Sequence, residues 1–333
     1  MTGHPSSPPR PLVVRIRNWV GDVVLGLPAL QLLQAQGYQL HIVARGKWAP
    51  ALLAGYDWPV YVQPTGLREK VAQLRDLRRH CLALDPGFDG RENAFLLPVS
   101  FSSALEMRLA GLKAVGVARE GRALMLARAE PWAQTGHELE RYWDLARRFV
   151  RQQLPPPRNI ALQVPAAASA QAAALLVAQG IGGRYVMVCP FAGGRAATAD
   201  KADKRWPGFE DFVRQGPQRL GLPLLVYPGP GEHVAARQLY PAAQLLQGSD
   251  LAVYAAVLQR AALVVANDTG PGHMAAALGR PLMSLIGPTN AARWAPWGPG
   301  VKVLQKPSRD GHTDWPTADE ALSLAQQLLA LGG

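Results

Sequence analysis

The segment "VVANDTGPGHMAAALGRPLMSLIGPTN" (264–290) contains the pattern that decides the fold. An apolar run ends at Asp268, a turn with Gly270 follows, and an alanine-rich helical stretch leads to a second apolar run over 280–287. Two strands joined by one helix predict a parallel β-α-β unit. The turn also predicts a phosphate site, because it presents backbone N–H groups and the positive end of a helix to an anion.

The same alternation of strands and helices extends over both halves of the chain. Strands are expected at 11–17, 38–45, 93–100, 184–190, 222–229, 262–268 and 280–287, and helices at 25–37, 68–81, 103–111, 208–221, 250–261, 271–279 and 318–332. This order is typical of α/β proteins with parallel sheets. The sequence therefore predicts two doubly wound, Rossmann-like domains.

A length of 333 residues and a hydrophobic fraction of 48% suit two domains. A proline cluster and an alanine-rich stretch between 151 and 183 mark the boundary. We predict a loose tail over 1–10, an N-terminal domain over 11–165 and a C-terminal domain over 166–333. The two domains are expected to face each other across a cleft, with the last helix packing back on the N-terminal domain. Ligands of such sheets bind at the carboxyl ends of the strands.

The formal net charge of +11 predicts an anionic partner, which is a nucleotide, a phosphorylated lipid or glycan, or nucleic acid. No recognised nucleic-acid-binding motif or aromatic stacking platform accompanies the charge, and this disfavours nucleic acid. The start "MTGHPSSPPRP" lacks the apolar segment of a signal peptide, and no apolar run approaches the ~20 residues that span a bilayer. We expect a soluble, cytoplasmic protein.

Cysteines and standard nucleotide motifs give mainly exclusions. Cys81 and Cys189 lie far apart and outside any CxxC or Cys/His cluster, so we expect two buried thiols and neither a zinc site nor a disulfide. The segment "GGRAATADK" (193–201) lacks the Gly-Lys-Ser/Thr of a P-loop, and "GPGEHV" (229–234) has Val in place of the third glycine of G-x-G-x-x-G. A nucleotide site of another kind is left open.

Two interpretations are open for the turn over 268–273. In the first, Asp268 caps the helix and His273 packs against a neighbour. In the second, backbone N–H groups of 269–273 bind a diphosphate and Asp268 accepts hydrogen bonds from sugar hydroxyls. A second Gly-Pro-Thr turn in "GPTNAARWAPWGP" (287–299), after the next strand, favours the second interpretation.

Two further segments bring charged groups to strand ends. In "CPFAGGRAATADKADKRWPGF" (189–209), Lys204 can reach a phosphate with Trp206 packed beneath it, or the segment is a solvated basic loop. In "RNWVGDVVLGLPAL" (17–30), Gly21 and Asp22 are expected in the first turn between strand and helix. Asp22 either caps that helix or acts as a general base on a sugar hydroxyl.

Four segments, in this order, resemble the motifs of the ADP-heptose lipopolysaccharide heptosyltransferases, glycosyltransferase family 9. They are "VGDVVLGLPAL" (20–30), "LLPVSFSSALEMRLAGLKAVGV" (96–117), "DKRWPGF" (203–209) and "NDTGPGHMAAALGRPLMSLIGPT" (267–289). The resemblance covers nearly the whole chain after residue 11. It implies the GT-B fold, in which both domains are Rossmann-like.

The resemblance also implies a reaction, namely inverting transfer of heptose from ADP-heptose to the inner core of lipopolysaccharide, without metal or cofactor. It implies Asp22 as the general base and Lys204 as the contact to the donor diphosphate. An acceptor of this kind leaves peripheral contact with the cytoplasmic face of the inner membrane open. The implied donor site comprises Glu232 at the ribose, Ser249 near the adenine, and Asp268, Thr269, Gly270, Gly272 and His273 at the phosphates and sugar.

The chain departs from the family pattern at two places. On the acceptor side, Val99 stands where the family often has Asn, and beside the donor site the segment 192–203 is an apparent insertion. The candidate acceptor residues are Ser100, Ser102, Arg108, Lys113, Arg119 and Arg122. The arginine and lysine side chains among them either bind phosphates or acidic sugars of the acceptor or form an ordinary solvated surface.

Three alternatives to the heptosyltransferase are kept. One is a GT-B glycosyltransferase with a different nucleotide sugar, or with a protein or another glycan as acceptor. Another is a sugar-nucleotide epimerase, which is disfavoured because an acid would be expected after the Asp-Thr-Gly turn, where this chain has Pro271. The third is a nucleic-acid binder, which rests on the charge alone.

Overall fold

The computed structural model describes residues 10–119, 121–133, 135–191, 204–248, 250–307 and 313–331. The chain divides into two compact units, Met1–Pro157 and Arg158–Gly333. The division follows three consecutive prolines, 155–157, which cannot continue the preceding helix because proline lacks a backbone N–H. The predicted tail lies almost wholly outside the described residues.

The first unit is built on a six-stranded parallel sheet with the order β3-β2-β1-β4-β5-β6. Its strands are β1 (Arg10–Arg15), β2 (Tyr38–Ala44), β3 (Val60–Val62), β4 (Ala94–Leu96), β5 (Ala114–Val117) and β6 (Arg128–Glu130). Its α-helices are α1 (Val20–Ala35), α2 (Ala49–Leu52), α3 (Leu67–Leu84), α4 (Phe101–Leu109) and α5 (Glu138–Phe149), with short 3₁₀ turns at Phe88–Gly90 and Arg122–Met125.

The second unit repeats this plan with the order β12-β11-β10-β7-β8-β9. Its strands are β7 (Val186–Cys189), β8 (Leu224–Val226), β9 (Gln244–Leu245), β10 (Leu263–Asn267), β11 (Leu282–Leu285) and β12 (Val301–Leu304). Its helices are α6 (Ala166–Ala178), α7 (Phe209–Leu220), α8 (His233–Leu239), α9 (Leu251–Arg260), α10 (Gly270–Ala277), α11 (Ala291–Trp294) and α12 (Ala318–Leu331). The helix α12 packs against α7 and β10 of the same unit.

Both sheets confirm the predicted doubly wound α/β class. In each, the strand order reverses at one place: between β1 and β4 in the first unit and between β7 and β10 in the second. Ligands of open α/β sheets bind beside the carboxyl ends of the strands at such a point. The fold therefore directs attention to the residues that follow these four strands.

One predicted boundary is wrong at the start of α1. The segment before residue 25 was expected to be a turn, but the helix begins at Val20 after the extended residue Trp19. Burial of Val23, Val24 and Leu25 stabilises the first turn more than the glycine at position 21 weakens it. Asp22 is thus the third residue of the helix and does not cap it.

The helix α5 was not predicted, although its sequence carries clear signals. His137 and Glu140 form a reciprocal capping box at its start. Leu139, Tyr142 and Leu145 follow at helical spacing and are buried. The helix packs against α1, where Gly26 lies close to Leu97: a Cβ at position 26 would lie 3.1 Å from Leu97 Cδ1 and at an ordinary contact distance of 3.8 Å from Tyr142 Cδ2.

The end of α5 has an unusual residue. Arg151 adopts a left-handed conformation with φ of 56°, and the corresponding positions after α1, α6 and α10 are Gly37, Gly180 and Gly279. The bonds Gln152 N–H to Arg147 O and Arg151 N–H to Arg148 O complete a Schellman motif. Arginine therefore carries a conformational cost here that glycine would avoid.

Two further sequence predictions concern cysteines and membrane spans. Cys81 and Cys189 are both free and buried, as predicted, and burial raises the pKa of each thiol to about 12. Among the helices of the described residues, none combines the length and apolarity required to cross a membrane.

Candidate active site

At the reversal point of the second unit, the carboxylate of Asp268 lies between the side chains of a lysine and a histidine. Asp268 directly follows β10 and is 9% exposed. Its Oδ2 lies 3.1 Å from Lys204 Nζ, and its Oδ1 lies 4.0 Å from His273 Nε2. The structure thus brings together three residues that the sequence assigned to donor binding.

The turn after Asp268 leads into the N-terminus of α10. The residue that caps this helix is Thr269, in an extended conformation and without a side-chain capping bond, so Asp268 is not the N-cap. Pro271 lies in the first turn, where its missing N–H costs no hydrogen bond. Gly272 packs closely on the strand end, since a Cβ there would lie 3.4 Å from Asn267 O. The first backbone N–H groups of α10 lie at the helix N-terminus, where groups of this kind can donate hydrogen bonds to a bound anion.

Trp206 anchors the segment that carries Lys204. It is buried, its indole N–H donates to Pro316 O at 2.7 Å, and its ring packs edge-on against Phe209. Trp206 N–H donates to Asn267 Oδ1 at 3.0 Å. Lys204, two residues earlier, is 51% exposed, so its ammonium is held near Asp268 and still open to a ligand.

Asn267 is a site residue that the sequence prediction missed. Its side chain is fully buried, accepts the Trp206 bond through Oδ1, and donates through Nδ2 to Pro190 O at 2.7 Å. Pro190 follows β7, so Asn267 ties the ends of β7 and β10 to the segment bearing Lys204. The available signal was an amide at the end of an otherwise apolar strand.

The remaining donor candidates lie after β8. Glu232 precedes α8 and its Oε2 accepts the Gly229 N–H at 2.8 Å, which folds the carboxylate over its own turn. A positive φ of 84° at Gly231 permits this turn. Ser249 lies outside the described residues.

In the first unit, Asp22 lies just beyond the carboxyl end of β1, in the first turn of α1. Its Oδ1 accepts a hydrogen bond from the Tyr142 hydroxyl at 3.4 Å, and its Oδ2 lies 3.6 Å from Arg17 Nε. Burial raises the pKa of Asp22, and the charge of Glu138 raises it further. Arg17 and the Tyr142 bond oppose this rise without cancelling it. Such an environment suits a carboxylate that takes up a proton.

The candidate acceptor residues fall into two groups. Ser100 precedes α4 at the carboxyl end of β4, its Oγ lies 3.4 Å from that of the exposed Ser102, and its carbonyl accepts from Arg122 Nη1 at 3.2 Å. Arg122 is fully buried and also donates to Val117 O and Pro98 O, so it holds this loop in place.

Arg108 and Lys113 form the second group and lie elsewhere. Both are exposed, and both belong to the link between the end of α4 and the start of β5. That link is at the amino edge of the parallel sheet, opposite to the edge that carries Ser100 and Asp22. The structure does not bring these two cations together with Ser100. Arg119 lies beyond β5 with its guanidinium 5.4 Å from the Trp132 ring centre.

The described residues contain no cluster of three or more His, Cys, Asp or Glu side chains arranged to hold a metal ion. The expectation of a metal-free reaction remains a prediction.

The model of glycosyltransferase family 9 (heptosyltransferase) matches residues 91–314. The chain belongs to this family. The match spans "DKRWPGF" and the 268–273 turn, and it confirms the resemblance inferred from the four segments. No curated protein sequence matches the chain.

Solved structures place this family 9 chain in the GT-B fold class, as predicted. The Escherichia coli ADP-heptose lipopolysaccharide heptosyltransferase II is 22% identical, with a TM-score of 0.77, over 96% of this chain and 98% of that one. A family 9 glycosyltransferase from Veillonella parvula is 17% identical, with a TM-score of 0.77, over 97% of both chains. E. coli heptosyltransferase WaaC with ADP is 24% identical, with a TM-score of 0.69, over 96% and 99%. At these identities the likeness shows the fold.

Proposed function

We propose that this protein is an inverting glycosyltransferase that moves heptose from ADP-heptose to the inner core of lipopolysaccharide. The observation that carries the proposal is the Lys204–Asp268 pair beside the N-terminus of α10, at the reversal point of the second sheet. An exposed ammonium next to a helix start suits a diphosphate, and a fixed carboxylate beside it suits sugar hydroxyls.

The donor assignment also draws on relatives. E. coli WaaC has been solved with ADP and with ADP-2-deoxy-2-fluoro heptose. The heptosyltransferase TibC, 13% identical with a TM-score of 0.55, has been solved with ADP-D-β-D-heptose. These ligands belong to those proteins, and we extend the ADP-heptose class to this chain by proposal.

In the proposed reaction, Asp22 takes the proton of the acceptor hydroxyl as that oxygen attacks the anomeric carbon of the donor. The bond from the anomeric carbon to the diphosphate oxygen breaks, and ADP leaves with the electron pair. Attack opposite to the leaving group inverts the anomeric configuration. Lys204 and the N-terminus of α10 stabilise the charge that develops on the diphosphate, so the proposed step uses no metal.

The acceptor assignment rests on charge and position. The formal net charge of +11 favours an anionic acceptor. Ser100 and Ser102 lie at the same sheet edge as Asp22 and offer hydroxyls to a sugar. We propose that the protein acts in the cytoplasm, with peripheral contact to the inner membrane that contains the acceptor.

The testing experiment measures free nucleotide released from ADP-heptose, UDP-glucose, UDP-GlcNAc and GDP-mannose, each with heptose-deficient lipopolysaccharide. We expect release from ADP-heptose alone, dependent on acceptor, unaffected by EDTA and abolished in Asp22→Ala. The anomeric configuration of the product, measured by NMR, should be opposite to that of the donor. Release from a UDP or GDP sugar would overturn the donor assignment and favour another glycosyltransferase of the same fold. No release of nucleotide from any of the four donors would contradict the proposed function.

A further inference from the structure

The strongest feature outside the predicted site is a buried polar cluster on α5 that faces Asp22. It consists of Glu138 and of Arg141 and Tyr142, which follow Glu138 by about one turn of the helix. Tyr142 is 2% exposed and Glu138 is 1% exposed. Buried polar groups of this kind are kept in place by mutual hydrogen bonds and ion pairs.

The Asp22 carboxylate is held from two sides. On one side, Tyr142 of α5 places its Oη 3.4 Å from Asp22 Oδ1. On the other side, Arg17, two residues after the end of β1, places its Nε 3.6 Å from Asp22 Oδ2. Tyr142 and Asp22 are 120 positions apart in sequence, so only the packing of α5 on α1 brings them together. Both contacts are long, and the carboxylate is therefore oriented without being tightly neutralised.

The Tyr142 hydroxyl has a second acceptor. It also forms a side-chain hydrogen bond with Glu138, whose Oε2 is paired with Arg141 Nη1 at 3.2 Å. Burial raises the pKa of Tyr142 well above its usual value, and the charges of Asp22 and Glu138 raise it further. The hydroxyl therefore keeps its single proton at working pH and shares it between two carboxylates.

We infer that Tyr142 is a positioning residue for Asp22, with its hydroxyl bonded to Asp22 while that carboxylate is charged and to Glu138 once Asp22 has taken a proton. The inference rests on the proposed role of Asp22 as general base. One proton and two flanking acceptors let the tyrosine serve both protonation states without moving its ring. Glu138, held by its pair with Arg141, supplies the alternative acceptor.

Two substitutions should shift the protonation of Asp22 in opposite directions. Tyr142→Phe removes a hydrogen bond that favours charged Asp22, so the pKa of Asp22 should rise. Glu138→Gln removes a negative charge that opposes charged Asp22, so the pKa should fall. Together with Arg17, these are the groups that set the protonation of Asp22 from the elements packed around it.

The test measures kcat/KM against pH for wild type, Tyr142→Phe and Glu138→Gln. The acidic limb should move to higher pH in Tyr142→Phe and to lower pH in Glu138→Gln, and Tyr142→Phe should lose up to about 100-fold in kcat at neutral pH. Tyr185→Phe is the matched control, because the Tyr185 hydroxyl is also buried and donates to Val257 O in the other unit. Its acidic limb should not move. Unchanged limbs in both α5 variants would overturn the inference.

A second readout separates this inference from the proposed function. The Asp22 carboxyl signal, identified by its loss in Asp22→Asn, is titrated by ¹³C NMR in the same variants. Opposite shifts in a protein that transfers no heptose would support the positioning role and contradict the heptosyltransferase. An Asp22 titration that is identical in all variants would overturn the positioning role even in an active enzyme.

Discussion

Asp22 and Asp268 follow strands on opposite sides of the reversal point in two sheets of the same strand order, and their surroundings differ in kind. Both side chains are 9% exposed and both lie beside a reversal point. Asp268 has an ammonium at 3.1 Å, whereas Asp22 has a neutral hydroxyl at 3.4 Å and a guanidinium at 3.6 Å. Burial raises the pKa of Asp22, and the longer contacts to Arg17 and Tyr142 do not cancel this rise. Two carboxylates of equal burial beside a reversal point thus have different neighbours, and on this difference we propose that Asp268 binds the donor and Asp22 acts as the base.

The largest expected effect comes from removing Trp206, which anchors the Lys204 segment in the second site. Trp206→Ala should lower the free energy of unfolding by about 3–5 kcal/mol, because a buried aromatic ring and the indole bond to Pro316 are lost. Lys204 should lose its position with it, so ADP binding should weaken in parallel. Urea unfolding and calorimetric titration with ADP measure both. Trp19→Ala is the control, since Trp19 is 63% exposed and should change stability by less than about 0.5 kcal/mol.

A second prediction concerns the acid sensitivity that the first unit confers through a buried histidine. His41 in β2 is 1% exposed, and burial lowers its pKa to about 4, with the charge of His80 contributing. On acidification, His41 therefore takes up a proton at a higher pH in the unfolded chain than in the folded chain. The free energy of unfolding should fall by roughly 3 kcal/mol as the pH drops from about 6.5 to about 4. The described strands of the second unit contain no histidine.

Urea unfolding at pH 7 and pH 5 tests the histidine prediction. His41→Gln should reduce the loss on acidification, whereas His80→Gln, on an exposed residue, should leave most of it. An equal pH dependence in wild type and His41→Gln would show that other groups cause the loss.

A third prediction sharpens the binding role of the second site. Lys204→Ala should weaken ADP binding by about 10- to 100-fold, the range for one charge-assisted hydrogen bond. Its salt dependence should also decrease. Lys302→Ala, an exposed lysine in β12, is the matched control and should bind ADP as wild type does. Equal losses in both variants would indicate a general charge effect.

The smallest expected effect concerns the helix that supports the first site. Arg151→Gly should raise the free energy of unfolding by about 0.5–1 kcal/mol, because glycine adopts the left-handed conformation without strain. Arg151→Ala keeps the strained conformation and should give no such gain. A similar stability for both variants in urea unfolding would contradict this account of the α5 terminus.

Part of the fold followed from sequence because its signals are local. The predicted strand, helix and strand over 262–287 correspond to β10, α10 and β11 within one to two residues at most ends. Apolar runs, glycine turns and alanine-rich spacing determine such elements from neighbours alone. The start of α1 was mistaken because Gly21 resembles a turn signal, and only tertiary burial of the next residues makes it helical.

The site was predictable where motifs carry it and unpredictable where packing does. Lys204 and His273 were assigned from their motifs and do lie beside Asp268. Tyr142 was missed because α5 was missed, and its partner is distant in sequence. Lys113 was selected for charge, and charge gives no information about which sheet edge a residue occupies.

We propose that Asp22 performs the chemistry while the second site holds the donor. The decisive experiment determines the dissociation constant of ADP-heptose and kcat together for Asp22→Asn. We expect donor affinity within about 2-fold of wild type and a kcat reduced by about 10²–10⁴-fold, the usual contribution of a general base. Transfer at nearly the wild-type rate by Asp22→Asn, or a loss of activity explained wholly by weaker donor binding, would contradict it.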